Sequence, residues 1–286
     1  MNLLTFTVNP KLTHSKKELI RITSVYLDEI NRIKRYENEL YKDTNQAFSH
    51  TIVFFPEFYL RQPSYRFPGT SITENSEIVE FMKRKASKLG IYIGSGLFEY
   101  DEKEKKKYLS GVIINSKGEL KKQRKIHLAS YDIEKGISPG NDISPIETEF
   151  GIIGILVCKD IFAPEIARIL AIKGSEIFYH PRGFIPQHQQ SNDFTENWIM
   201  REKARAADNI SYLVSSTNVV HGTPTAEIIN FDGRVFAQLQ GEGILYHILN
   251  LDTLRFYRRE KGPFHSPNIK IGERKPQIYG FKFEQK

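Results

Sequence analysis

The sequence predicts a layered α/β protein built on mixed sheets, and three observations carry that prediction. Apolar runs rich in β-branched and aromatic residues alternate with longer segments of three-and-four periodicity. Several of the runs are apolar at nearly every position, as strands covered on both faces are. Short glycine-containing turns join some of the runs, as in β-hairpins, so parallel and antiparallel pairing are expected side by side.

The first run, 3–8, opens the chain as a strand. Apolar residues then recur over 15–38 on one helical face, and the next strand falls at 51–55. A second helix is expected at 76–89, with Gly90 placed to cap it in the left-handed conformation. Strands at 91–98 and 109–115 follow, and Ser116-Lys117-Gly118 closes a hairpin after the second. A strand at 152–157 leads to a helix at 164–173, whose Pro164-Glu165 start suits a first turn. A strand at 176–179, a helix at 194–209 and strands at 211–216, 225–230 and 244–249 complete the order, with Phe231-Asp232-Gly233 as a further hairpin turn. No internal repeat, low-complexity tract or Pro/Gly/Ser linker divides the chain, so a single domain over 1–286 is expected.

Composition narrows the functional classes. With 286 residues, 40% of them hydrophobic and 26% charged, the chain has the apolar content of an ordinary soluble protein. Its net charge of +7 comes partly from lysine-rich stretches at 102–107 and 117–125, each of which reads as a charged turn. No interleaved aromatic and basic motif accompanies them, so a nucleic-acid partner is not expected. Residues 1–10 lack a basic leader, and Thr5, Thr7 and Asn9 break their apolar run, so neither a signal peptide nor membrane association is expected and the default location is the cytoplasm. Cys158 is the 1 cysteine, without a disulfide partner, and is either a small buried apolar residue or a reactive thiol.

Three segments place chemically useful side chains at element ends. Thr51-Ile-Val-Phe-Phe-Pro-Glu57 is an apolar strand that delivers Glu57 at the carboxyl edge of a sheet, where α/β proteins hold their sites; alone, it is also an ordinary loop glutamate. Ile152-Ile-Gly-Ile-Leu-Val-Cys158 ends in a thiol just before a helix opens, a strand-to-helix elbow whose free N–H groups favour a thiolate and an oxyanion. The other reading is an inert cysteine at the last buried strand position. Lys125 lies in Lys121-Lys-Gln-Arg-Lys-Ile-His-Leu128 and is either one more solvated lysine or, where the chain turns apolar, a residue sharing a face with His127.

Together these segments resemble the nitrilase, or carbon-nitrogen hydrolase, superfamily, whose members carry a Glu, a Lys and a Cys in this order. The matching motifs are Phe55-Pro56-Glu57, Lys125-Ile126-His127-Leu128, and Cys158 with Asp160, Pro164 and Glu165. Glu134 ahead of Pro139-Gly140 looks like the family's second, supporting glutamate. Trp198, Arg205-Ala206, Asn209, Asn218 and a closing hairpin over 225–233 extend the similarity along nearly the whole chain. Departures are Lys159, where the family commonly has an aromatic residue, an extension of the first helix region around 38–49, and His180-Pro181-Arg182-Gly183 after a central strand.

The resemblance implies a four-layer α-β-β-α sandwich and a thiol hydrolase of a non-peptide C–N bond in a small amide or N-carbamoyl compound. Cys158 would form a thioester, Glu57 would act as base and then acid, Lys125 would stabilise the oxyanion, and Glu134 would orient Lys125. Acyl transfer through the same thioester and a catalytically silent scaffold are the alternatives. Lys159 and Arg182 are candidates for an acidic substrate group, and Phe58, Tyr59, Phe162 and Phe184 for pocket walls. A Cys–His pair using His127 or His180 is the competing mechanism, although neither histidine has an orienting partner at interpretable spacing. Neither a cofactor nor a metal is expected, and the resemblance implies a homodimer or higher homo-oligomer.

Overall fold

The computed structural model describes residues 1–11, 13, 15–57, 59–60, 76–183, 192–218 and 225–259. Its elements in chain order are β1 (Asn2–Asn9), α1 (Lys16–Tyr41), β2 (Phe48–Phe54), α2 (Glu77–Leu89), β3 (Tyr92–Asp101), β4 (Lys106–Ile114), β5 (Leu120–Arg124), α3 (Ser130–Glu134), β6 (Ile146–Glu147), β7 (Ile152–Ile155), a 3-10 turn (Cys158–Phe162), α4 (Pro164–Ile172), β8 (Ile177–Pro181), α5 (Asn192–Asn209), β9 (Tyr212–Ser216), β10 (Thr225–Ile229), β11 (Val235–Gln240), β12 (Gly243–Asn250) and α6 (Leu251–Arg259).

The strands form two six-stranded mixed sheets, ordered β12-β1-β2-β3-β4-β5 and β11-β10-β9-β8-β7-β6. Each has a parallel trio at its centre, β1-β2-β3 in one and β7-β8-β9 in the other, continued by antiparallel strands. Alternating strand side chains explain the layers. In β1 and β2, Leu3, Ile52 and Phe54 face the other sheet, where they join Ile153, Ile155, Tyr179 and Val214 in a central core. The intervening residues Leu4, Phe6, Val53 and Phe55 face outward and are covered by Leu27 and Ile30 of α1 and Val79 and Met82 of α2. On the other outer face, Leu156, Phe178 and Leu213 pack under Ile166 and Leu170 of α4 and Trp198 and Ala206 of α5. The order of layers is therefore helix, sheet, sheet, helix, as the resemblance implied.

The helix ends follow their local chemistry. Ser15 Oγ accepts the Glu18 N–H at 3.1 Å and starts α1, which runs to Tyr41. Gly90, at φ 59°, ends α2 in the left-handed conformation expected of it. Pro164 stands in the first turn of α4. Both expected hairpins form, β4 with β5 and β10 with β11. β5 and β11 were expected only as the second strands of these hairpins, without bounds, and β6, α3 and α6 were not foreseen from the sequence. Among the described residues, no helix is long and apolar enough to cross a membrane.

Candidate active site

Glu57, Lys125 and Cys158 each leave the end of a strand and converge at one edge of the sandwich. Glu57 follows β2 and Pro56, and its turn is pinned by close backbone approach: the Gly96 N–H donates to the Pro56 carbonyl at 2.9 Å. A Cβ added at Gly96 would fall on the Glu57 backbone, so this position requires glycine. Tyr179 of the opposite sheet stacks on Phe54 at 4.5 Å, and its hydroxyl donates to the Phe55 carbonyl. The Glu57 N–H in turn donates to the Arg182 carbonyl at 3.3 Å, fixing Glu57 to the strand end that follows β8.

Lys125 follows β5. Its N–H donates to the Leu109 carbonyl at 2.7 Å and its own carbonyl accepts the Gly140 N–H at 2.8 Å, so the Pro139-Gly140 turn closes over it. The side chain is buried, with 1% exposure, and Nζ lies 2.8 Å from Glu57 Oε1 and 2.9 Å from Asp132 Oδ2. Asp132, and not Glu134, is thus the second carboxylate. The two lie two positions apart on the short α3, about 200° around a helix of 3.6 residues per turn, so only one can face inward. Asp132 is buried and its Oδ2 also accepts the Ala129 N–H at 2.8 Å, whereas Glu134 is exposed.

Cys158 begins the 3-10 turn, three residues beyond the end of β7, and its φ of 48° lies in the left-handed region. A non-glycine residue is strained there by about 1–2 kcal/mol, a feature that gathers at functional elbows. The expected strand-to-helix elbow is present, sharpened by this backbone turn. Asp160 ties the elbow to the lysine loop: its carboxylate accepts the His127 N–H at 2.7 Å and the Ile126 N–H at 3.3 Å.

The electrostatics follow from three buried ionisable groups, Glu57, Lys125 and Asp132, set around a partly buried Cys158. Burial pushes the Glu57 carboxyl up, Lys125 opposes this, Asp132 adds to it, and the balance is about 7. Burial also pushes the Cys158 thiol well above its usual range; the Glu57 charge adds to this, and Lys125 with the Gly183 N–H only partly offsets it. Burial alone would lower Lys125, but the negative charges that Cys158, Glu57 and Asp132 can carry hold it well above the usual ammonium value. The resting state near neutrality is therefore a thiol, an ammonium and a carboxyl poised between its two forms. Glu57 Oε2 is buried and has no formed hydrogen bond among the described residues, and the Cys158 thiol is a polar neighbour that bears on this carboxyl. That free oxygen can take a proton.

The side chains of the other expected site residues make contacts of their own. Arg182 does not extend toward a substrate: it is 1% exposed, pairs with Glu227 Oε2 at 2.7 Å, and donates to Ser215 Oγ and the Thr225 carbonyl. These partners lie on β9 and β10 and hold the guanidinium within the fold. Lys159 is exposed and donates to the Leu128 carbonyl at 2.8 Å. Phe162, 41% exposed, meets Trp198 edge-on at 4.9 Å and carries the Arg201 guanidinium over its ring at 4.4 Å. Tyr59 stacks on Phe55 in the outer core, and Phe58 and Phe184 lie outside the described residues. Of the two histidines, His127 Nδ1 meets Asp160 Oδ1 at 3.1 Å, and His180 Nε2 meets the Cys158 carbonyl, not its sulfur, at 3.0 Å.

The sequence-based reading missed Asp132 and Glu202. Glu202 lies fully buried on α5, four residues after Trp198 and four before Ala206, both of which are also buried. A carboxylate on the apolar stripe of a helix was the available signal.

Comparison with known proteins follows the same lines. The family model for carbon-nitrogen hydrolases matches residues 38–259. The omega-amidase NIT3 of Saccharomyces cerevisiae is 29% identical over 205 residues, which is 65% of this chain and 68% of that protein. The N-carbamoylputrescine amidase of Arabidopsis thaliana is 26% identical over 244 residues, covering 78% of this chain and 76% of that protein. Among solved structures, S. cerevisiae Nit3, a member of branch 10 of the nitrilase superfamily, superposes with a TM-score of 0.70 at 22% identity, covering 92% of this chain and 95% of that one.

Proposed function

Because the chain belongs to the carbon-nitrogen hydrolase family, we propose that it hydrolyses a small amide or N-carbamoyl compound through a thioester on Cys158. The observation that carries this reading is the buried Lys125 ammonium, held between Glu57 and Asp132 beside a strained Cys158. The similarity to an omega-amidase and to an N-carbamoylputrescine amidase supports this substrate class.

In the first half-reaction, ionised Glu57 accepts the Cys158 proton as the sulfur attacks the carbonyl carbon. A thiol that rests protonated needs such a base at the moment of attack, and a carboxyl of about 7 is matched to the task near neutral pH. Lys125 Nζ and the Lys159 N–H, at the start of the 3-10 turn, stabilise the oxygen that becomes negative. Protonated Glu57 then gives its proton to the leaving nitrogen, and the C–N bond breaks to leave the acyl thioester. In the second half-reaction, Glu57 removes a proton from water as it attacks the thioester, and returns a proton to the departing Cys158 sulfur. Asp132 keeps Lys125 charged and in place throughout.

The test is hydrolysis of a panel of short ω-amides and N-carbamoyl amines, followed by product analysis with and without added amine. Free acid and ammonia in equal amounts are expected from the amides. Failure to cleave any member, or acyl products that form only when an amine is added, overturns the hydrolase reading.

A further inference from the structure

The end of β8 supports both Glu57 and Cys158. The Arg182 carbonyl receives the Glu57 N–H, and two residues earlier His180 reaches the Cys158 carbonyl at 3.0 Å. His180 is fully buried and its ring stacks on Trp198, with centroids 5.5 Å apart and planes at 19°. Its other nitrogen, Nδ1, lies 2.6 Å from Glu202 Oε1, and Glu202 is also fully buried.

Hydrogen-bond bookkeeping fixes the protons of this pair. A carbonyl oxygen has no hydrogen to give, so Nε2 must carry one. One further proton lies between Nδ1 and Glu202, making either an imidazolium beside a carboxylate or a neutral imidazole beside a carboxylic acid. Burial drives His180 down to about 3, and the Arg182 charge adds to the effect, while burial pushes Glu202 up. Both directions select the neutral pair. Arg182, 3.5 Å from Glu202 through Nε, is then balanced by Glu227 at 2.7 Å.

The peptide that His180 holds is the one that matters for charge stabilisation. The Cys158 carbonyl and the Lys159 N–H belong to one planar trans unit and point in opposite directions. A donor locked onto the carbonyl therefore sets where the N–H points. We propose that His180, kept as its Nε2–H tautomer by a proton that Glu202 donates to Nδ1, is a positioning residue that aims the Lys159 N–H at the developing oxyanion. This rests on the reading of Cys158 as the nucleophile, and it assigns a role to the unusual His180 of the sequence.

The test uses the full chain with p-nitrophenyl acetate as acyl donor, together with 15N spectra of His180. His180→Leu removes the donor and is expected to lower kcat about 10- to 100-fold, toward the loss seen when an oxyanion donor is deleted, with KM nearly unchanged. His180→Gln, whose amide nitrogen can occupy the Nε2 position, restores most of the rate. Glu202→Gln, a neutral donor to Nδ1, stays near wild type, whereas Glu202→Leu falls toward His180→Leu. The wild-type 15N spectrum shows a protonated Nε2 and an unprotonated Nδ1.

Wild-type rates in His180→Leu, equal losses in folded His180→Gln and His180→Leu, or a protonated Nδ1 overturn the inference. If His180→Leu does not fold, the Gln variants and the spectrum decide. Cys158→Ala separates the two claims: an acylation burst surviving that change removes the nucleophile reading, while the His180 spectrum reports on the tautomer independently.

Discussion

Asp132→Asn isolates the carboxylate that takes the place expected for Glu134. The substitution removes one charge while leaving an oxygen that can still accept the Ala129 N–H. Lys125 Nζ is 2.8 Å from Glu57 Oε1 and 2.9 Å from Asp132 Oδ2, so these oxygens are at most about 5.7 Å apart whatever the angle at the ammonium. Two like charges at that distance repel by about 3 kcal/mol at an effective dielectric near 20, equivalent to about two pH units. Burial raises Glu57 to about 7 with the help of the Asp132 charge, and neutralising Asp132 lowers it. Activity falls on the acid side where Glu57 takes up its proton, so the acid limb of kcat/KM shifts down by about two pH units in Asp132→Asn. Glu134→Gln leaves the limb in place. The assay is a pH profile of kcat/KM on a short amide for the three proteins. An acid limb that stays fixed or moves up in Asp132→Asn, or moves equally in Glu134→Gln, refutes the reasoning.

Three further outcomes follow from the same geometry. Glu57 rises from 4.5 to about 7 on folding, so its stabilising contribution is greatest below pH 4.5, declines between 4.5 and 7, and is constant above. The stability difference between wild type and Glu57→Gln should thus change by about 3 kcal/mol across that window in urea unfolding, and a flat difference would contradict the burial argument. Lys125→Met leaves two buried carboxylates without their cation and is expected to cost about 3–5 kcal/mol, with the deficit in thermal unfolding larger at pH 8 than at pH 5. Gly96→Ala forces β3 away from the Glu57 turn; a loss of about 1–3 kcal/mol and about 100-fold in kcat is expected, and unchanged kcat would show that the close approach does not place the carboxylate.

Much of this architecture was legible because central strands and amphipathic helices write their burial into the sequence. The end of β2 and the start of β8 are apolar since both faces are covered, and α2 carries its cap at Gly90. The second hairpin strands β5 and β11, whose bounds were not legible, are the outermost strands of their sheets, with part of each exposed, so lysines and glutamines interrupt their patterns. In α6, Leu251 and Leu254 are the buried residues, too few to declare a helix. Glu57, Lys125 and Cys158 were readable as strand-end residues, but spacing could not say which acidic residue of α3 turns inward. The burial of Arg182 and the part played by Glu202 were hidden for another reason: each depends on a partner distant in sequence, Glu227 pairing with Arg182 and His180 sharing a proton with Glu202. Only folding brings those partners together.

The central claim is that Cys158 carries the acyl group, and intact-mass measurement of rapidly quenched reactions tests it most directly. With a short ω-amide, the wild-type chain is expected to gain the mass of one acyl group, mapped to Cys158. Cys158→Ala, folded as judged by circular dichroism, should gain none and turn over no substrate. Turnover by Cys158→Ala, or an acyl group mapped to a different residue, would contradict the account.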